Sequence, residues 1–381
     1  MSYLDTSTTG FVPTGPRKLL YVHWPLVLLV IAVASAGLLM LYSISGGRAE
    51  LWAMPQGQRL VIGVIAMVVM GLVSIRFWRA MSVPAYLVCL GLLVAVEQMG
   101  SIGMGAQRWL DLGFIQIQPS EMAKIGLVMI LALYYDWLPA NKVSHPFWVA
   151  IPLVLTFLPV ALVLMQPNLG TAMLITILGA GIMFAAGVHW LYFATVIGAV
   201  GGTVYAIFAS RGTSWQLLHD YQFRRIDTFI DPSSDPLGAG YNIAQAKIAL
   251  GSGGLTGRGF MQGTQSRLNF LPEKHTDFIF NTLAEEFGFL GTCTLLGLYM
   301  LILAFCLITA LTNRDRYSAI LTMGIGVSFF LLFALNMLMV MGFAPVVGVP
   351  LPLVSWGGSS MLVLLMGFGL IQSAHVHKQR G

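Results

Sequence analysis

WPLVLLVIAVASAGLLMLYSI, from Trp24 to Ile44, has no charged side chain in 21 positions. A bilayer's hydrocarbon core is about 30 Å thick, and a helix crosses it in about 20 residues. The stretch is long and apolar beyond the core of a signal peptide, and no convincing cleavage site follows it, so it reads as a retained span. Nine more stretches of this kind follow, near 60–77, 82–99, 119–138, 146–165, 169–187, 189–209, 287–311, 317–341 and 353–375. The expected fold is an all-α polytopic membrane protein with ten transmembrane helices, the whole of 1–381 forming a single membrane domain.

Composition agrees. Of 381 residues, 57% are hydrophobic and 9% charged, against roughly 25% charged in a soluble domain. So few charges exclude a water-soluble globule, and so much apolar character excludes a disordered chain. The formal net charge is +5, which in a soluble protein would point to nucleic acid. Here the basic residues sit mostly at the ends of apolar runs, so nucleic acid is not expected as a partner. Cys89, Cys293 and Cys306 lie inside apolar runs and read as small core residues rather than a disulfide frame or metal site.

An even number of spans puts both termini on one side. Arg17, Lys18, Arg76, Arg79, Lys142, Arg314, Arg316, Lys378 and Arg380 fall on that side, against Arg48, Arg59 and Arg108 in the short loops of the other. The positive-inside rule places both termini in the cytoplasm, with residues 1–18 as a flexible tail. Residues 210–286 then form a large extracytoplasmic loop between spans seven and eight, a length that usually carries function. It holds a turn cluster (Asp231 to Pro236), a short amphipathic helix with Tyr241, Ala244 and Ile248 on one face, and a glycine-rich turn, Gly251 to Gly259. The helix is expected to lie against the membrane surface.

Ionisable residues near apolar spans are expensive and usually face a cavity or a partner. Glu121 and Lys124, spaced i, i+3, share a helical face. They form either a structural ion pair or part of a polar cavity open to the outer face. Glu97 either reaches the interface or joins that cavity. Pro119 and Ser120 are ordinary helix-start residues. Arg108, just upstream, suits a phosphate or carboxylate, or a lipid headgroup.

The densest cluster is LPEKHTDFIF, Leu271 to Phe280, where the chain re-enters the membrane. Asp277 is followed by Phe278, Ile279 and Phe280, and desolvation raises a carboxylate toward the range of a general base. The alternative is that Thr276 or Asp277 caps the next helix. The loop's other basic residues, Arg211, Arg224, Arg225, Lys247, Arg258, Arg267 and Lys274, are either a solvated surface or a pyrophosphate-binding rim. Pro345, Pro350 and Pro352 precede Ser355 to Ser360 in the last span, and Gln166 to Thr171 joins spans five and six. All these features fall on the outer face, as one shared site would.

These residues also carry a resemblance. LPEKHTDFIF resembles a signature of the SEDS family (shape, elongation, division and sporulation), and PLPLVSWGGSS, Pro350 to Ser360, resembles another. Gln118-Pro119-Ser120-Glu121 with Lys124, and Gln166 to Thr171, match two more of its motifs. Gly263-Thr264-Gln265-Ser266 and Pro345-Val346-Val347-Gly348 are similar to its elongation branch rather than its division branch. Two departures stand out: Asn168 where the family usually has Asp, and Trp356 where it usually has Tyr.

The resemblance implies a multi-pass protein of the bacterial inner membrane that polymerises peptidoglycan glycan strands from lipid II at the periplasmic face. It would form β-1,4 bonds and release undecaprenyl pyrophosphate, for cell elongation and rod shape. The family's essential acid falls on Asp277. Candidate substrate contacts are Arg108, Glu121, Lys124, Arg224, Arg258, Lys274, His275, Ser355 and Ser359. A divalent cation, Mg or Mn, is implied as cofactor, although no ligand set is visible. Implied partners are a class B penicillin-binding protein, which supplies the peptide crosslinks, other membrane proteins of the elongation complex, and membrane lipid. Pyrophosphate is already a good leaving group, so one carboxylate base suffices where most glycoside hydrolases use two. The rival readings are a lipid II flippase and a non-catalytic scaffold for the crosslinking enzyme.

Overall fold

The computed structural model describes residues 13–103, 106–111, 113, 116–166, 168–213, 216, 223, 227, 239–268, 273–346 and 348–378. The first helices are α1 (Trp24–Ile44), α2 (Ala53–Leu72), α3 (Ile75–Ala80) and α4 (Ser82–Met99). Then come α5 (Pro119–Trp137), α6 (Pro146–Met165), α7 (Leu169–Ala185), α8 (Trp190–Ala209), α9 (Ala239–Ser252) and α10 (Thr264–Arg267). The last three are α11 (Ile279–Thr312), α12 (Arg316–Val340) and α13 (Gly358–Val376).

Among the described residues, eight of these helices (α1, α2, α4, α6, α8, α11, α12 and α13) are long and apolar enough to cross a membrane. Of the two other long helices, α7 is apolar over 17 residues, and α5 has 19 residues that include Glu121, Lys124 and Asp136. The chain is a multi-pass membrane protein.

Several element ends differ from the sequence reading, each for a local reason. The second helix ends at Leu72 because Ser74 starts α3, its Oγ accepting from the Phe77 N–H at 3.4 Å. The last helix begins at Gly358 rather than near 353, since Pro350 and Pro352 lack N–H groups and Leu353 adopts φ 67°. The fold is mostly helical as expected, with one addition, a small three-stranded antiparallel sheet of β1 (Ser101–Gly103), β2 (Ala106–Asp111) and β3 (Gln116–Ile117), in that order. Strands of two to six residues leave too few alternations to read from sequence.

The most extensive helix contact is α2 with α13. There a Cβ on Gly369 would stand 2.9 Å from Met70 Cβ and 3.1 Å from the Met67 carbonyl oxygen, so a glycine lets the two helices approach closely. An aromatic hub of Tyr299, Phe329, Phe333 and Phe368 ties α11, α12 and α13 together. The Tyr299 hydroxyl donates to the Pro352 carbonyl, fixing the loop that precedes α13. By contrast α8 contributes no buried residue. Cys89 and Cys306 are buried as expected, but Cys293 is exposed.

A strap of backbone lies across the start of α11. That helix breaks at Gly288 (φ 63°, ψ −159°). Arg258 and Gly259 donate to the carbonyls of Glu285 and Glu286 at 2.9 and 3.0 Å, while Phe289 and Leu290 donate to those of Gly254 and Leu255 at 2.9 and 3.1 Å. The strap thus uses groups that the broken helix leaves free. A Cβ on Gly257 would stand 2.1 Å from the Glu286 oxygen, so the two backbones touch. The buried Glu285 carboxylate accepts from Thr264 N and Oγ1 at 2.7 and 2.9 Å and secures the strap's far end. Among the described residues of α9, Ala246 and Ala249 are buried and Ile248 is 50% exposed. Small side chains let α9 pack closely on α11, with Asn281 Nδ2 donating to the Ala246 carbonyl at 2.6 Å.

Candidate functional site

The segment before α11 is held by its carbonyl groups. Those of His275, Thr276 and Asp277 accept in turn from Trp356 N (2.9 Å), Ser355 Oγ (2.6 Å) and Asn336 Nδ2 (2.9 Å). Asn336, fully buried in α12, also donates to the Val349 carbonyl at 2.7 Å. Ser355 Oγ accepts from Leu351 N at 2.8 Å. Three successive peptide groups are therefore fixed to the 349–356 segment and to α12, leaving the side chains between them to point elsewhere.

The helix cap expected as an alternative does not form. Phe278 stands at the N-cap of α11, and no side chain caps it. Thr276 Oγ1 donates instead to Glu273 Oε2 at 3.0 Å. Among the described residues no donor or cation holds the Asp277 carboxylate. It is half-buried and faces a cavity of about 250 Å³. Burial, and then the neighbouring charge of Glu273, push Asp277 up to about 6. Burial lowers Lys274 and His275 below their ordinary values.

The cavity gathers residues distant in sequence. Glu273, Thr276 and Asp277 line it with Arg108, Gln118, Glu121, Asn168, Ser355 and Trp356. Arg108 stands on β2 and Glu121 in the first turn of α5. Asn168 opens α7, its Oδ1 accepting from Thr171 N at 3.4 Å. An amide caps a helix as well as a carboxylate does, so this departure from Asp keeps the turn.

Other sequence candidates fall outside the lining. Lys124 is 4% exposed, pairs with Glu121 at 2.9 Å and does not line this cavity. It neutralises Glu121 and, with it, lines a much smaller space of about 20 Å³. Ser359 Oγ accepts from Gln118 N at 3.2 Å and so joins α13 to the start of α5. His275 does not line the cavity: its ring stacks on Trp52 with centroids 4.8 Å apart, while its carbonyl accepts from Trp356 N. Lys274 does not line the cavity. Arg258 belongs to the strap, with Nη1 donating to Thr264 Oγ1 at 2.7 Å. Glu97 is exposed and Arg211 pairs with Asp227 at 2.7 Å. Arg224 and the turn cluster at 231–236 lie outside the described residues.

Comparison with known proteins places this arrangement. The family model for cell cycle proteins of the FtsW, RodA and SpoVE type matches residues 22–380. The chain belongs to this family. It is 43% identical over 357 residues to the peptidoglycan glycosyltransferase MrdB of Escherichia coli (strain K12), covering 93% of each chain. With the protein of that name from Helicobacter pylori (strain ATCC 700392 / 26695) it shares 35% identity over 339 residues, 84% of this chain and 82% of the other.

Among solved structures, it is similar to a chain from work on the structural coordination of polymerization and crosslinking by a peptidoglycan synthase complex. That match has a TM-score of 0.78 at 30% identity and covers 93% of this chain and 97% of the other. The rod shape determining protein RodA of Thermus thermophilus matches with a TM-score of 0.70 at 27% identity, over 94% and 98% of the two chains.

Within this family fold, sequence reading passed over several residues of the site. Asn336 is a polar residue inside an apolar run, a signal by itself. Glu273 was part of the quoted cluster without a role. Arg59, on α2, places its guanidinium carbon 4.5 Å from the centroid of the Trp356 ring. Its spacing of three from Gln56 marks a polar edge on α2 that could have been read.

Proposed function

We propose that this protein is a peptidoglycan glycan-strand polymerase in which Asp277 is the general base. The observation that carries this reading is the Asp277 carboxylate: half-buried, raised to about 6, unpartnered among the described residues, and open to the cavity. A base poised near the working pH is ionised when needed and still basic enough to accept a proton. Asp277 takes the proton of the acceptor sugar's 4-hydroxyl. The freed oxygen attacks the anomeric carbon of a lipid II-linked donor, inverting it. The bond to pyrophosphate breaks, and undecaprenyl pyrophosphate leaves with the electron pair. Arg108 stands in the same cavity and offers a guanidinium to the growing negative charge.

A magnesium or manganese ion would come in on the pyrophosphate oxygens. Among the described residues no three His, Cys, Asp or Glu groups converge to hold one, and Mg²⁺ is commonly held by one or two carboxylates plus substrate phosphates. No step above runs through it.

The chain works in the bacterial inner membrane as one membrane domain with ten spans, α5 and α7 added to the eight apolar helices. Both termini lie in the cytoplasm, and residues 210–286 on the periplasmic side. The basic residues at the cytoplasmic ends support this orientation. Its partner is a class B penicillin-binding protein, which crosslinks the strands, within the elongation complex. Similarity to a chain of a peptidoglycan synthase complex supports that pairing.

The test is lipid II polymerisation in detergent by the protein with its crosslinking partner. Asp277→Asn is expected to abolish long glycan while folding and partner binding persist. Near-normal glycan from that variant removes the base. The same assay separates a polymerase from a flippase, which leaves no product without a bilayer.

A further inference from the structure

Among the described residues the cavity is short of positive charge. Glu121, Glu273 and Asp277 line it, with Arg108 as the basic residue in the lining. Lys124 is neutralised by Glu121, and Lys274, His275 and Arg258 stand away from it. Resting on the polymerase reading above, donor and acceptor are both lipid-linked, so two pyrophosphates must be accommodated at once.

We infer that Arg59 is a second pyrophosphate-binding residue, carried on the face of Trp356 at the lip between α2 and α13. The guanidinium carbon lies 4.5 Å from the ring centroid, a cation–π contact that sets Arg59 beside the cavity lining and behind the Trp356 ring. Its one protein acceptor among the described residues is Gln56 Oε1, at a long 3.5 Å. Five donors with one distant acceptor are poorly satisfied. A Cβ on Gly358 would stand 3.7 Å from the guanidinium carbon, so the glycine leaves that side uncovered. The ring beneath Arg59 is itself part of the cavity wall.

Arg59 is also tied to the site's frame. The buried Gln56 donates from Nε2 to the Ser355 carbonyl at 3.1 Å. Ser355 Oγ in turn donates to the Thr276 carbonyl, one residue before Asp277. A phosphate bound at Arg59 is thereby registered against the base. The ligand chemistry is a phosphate on a lipid tail, and the assignment is to the polyprenyl pyrophosphate of the substrate.

The test is the same polymerisation assay in neutral detergent, with lipid II concentration varied. Arg59→Gln is expected to raise KM about tenfold or more, the loss of a charge-assisted hydrogen bond, with kcat within about twofold. Arg59→Lys restores part of the affinity, and Trp356→Leu raises KM where Trp356→Phe does so less. The salt dependence of KM is shallower in Arg59→Gln. Wild-type KM in the assembled Arg59→Gln protein overturns the inference. So does a KM effect that appears only in vesicles of anionic phospholipid, because the phosphate held is then a bilayer headgroup. If Arg59→Gln does not accumulate, wild-type KM in Arg59→Lys and Trp356→Leu together overturns it equally. The two claims fail separately: polymerisation by Asp277→Asn sinks the base, whereas an unchanged KM on replacing Arg59 sinks the pyrophosphate contact.

Discussion

Asp277 and Asp315 each stand just before a long apolar helix, at a position where an aspartate can cap. Only Asp315 is one. It is the N-cap of α12 and accepts from Ser318 N at 3.1 Å, from the Ser318 hydroxyl and from Arg79. Burial alone would raise it, but those hydrogen bonds hold it below the usual carboxylate range. Asp277 sits two residues before α11, has no such partners among the described residues, and is pushed up to about 6. The same residue at the same kind of boundary is a structural anion in one place and a poised base in the other. The difference lies in whether the neighbouring backbone is held by the aspartate or by other groups.

The contrast can be broken most directly by amide replacements at both positions. Asp277→Asn is expected to lower polymerisation by a factor of about 10² to 10⁴, the usual contribution of a general base. Its melting temperature at neutral pH should rise slightly. A carboxyl whose folded pKa is raised destabilises the fold once ionised, above that pKa, and the amide removes this. A fall in melting temperature with retained activity would place Asp277 with Asp315.

Next in size is Asn336→Ala, which frees the carbonyls of Asp277 and Val349. It should reduce kcat about tenfold or more by loosening the base's mount, and lower stability by about 1–3 kcal/mol. Steady-state kinetics with thermal unfolding would show both.

A finer change is Glu273→Gln. Activity of the wild type should fall as pH drops through about 6, where Asp277 becomes protonated. The glutamine keeps an acceptor for Thr276 but removes the charge that helps to raise Asp277. The acid limb of the pH–rate profile should therefore move to lower pH, and an unmoved limb would mean that Glu273 does not act on the base.

The smallest effect is at the other aspartate. Asp315→Ala should cost about 1 kcal/mol as a lost cap and leave glycan synthesis unchanged. Because its folded pKa is depressed, Asp315 stabilises the native state above the ordinary carboxylate range. That contribution is lost only as pH falls below about 4, which unfolding followed against pH can check.

Much of this was legible. The helices follow from apolar length, and the site's motifs from charges placed where a membrane segment begins. Asp277 stood out because three apolar residues follow it. What composition could not decide was whether it capped a helix, since the answer depends on Ser355, Trp356 and Asn336, between 59 and 81 residues away for the three bonds. The basic residues were legible as types and not as roles. Arg258 and Lys124 carry the right charge, yet one serves a strap and the other a buried ion pair. Arg59 looked like an ordinary loop charge, because its ring partner lies nearly 300 residues on, in the segment before the last helix. The small sheet was too short to leave a pattern.

The strap across α11 is joined to it mainly through peptide groups, with Gly253, Gly257 and Gly288 at the points of closest approach. A seam made this way is sensitive to spacing. Leu255 and Thr256 could change without disturbing it, but a side chain at Gly253 or Gly257 would meet the α11 backbone, and adding or deleting one residue would slide every donor past its acceptor. Glycine at the tight points, and length between them, are what that segment has to keep.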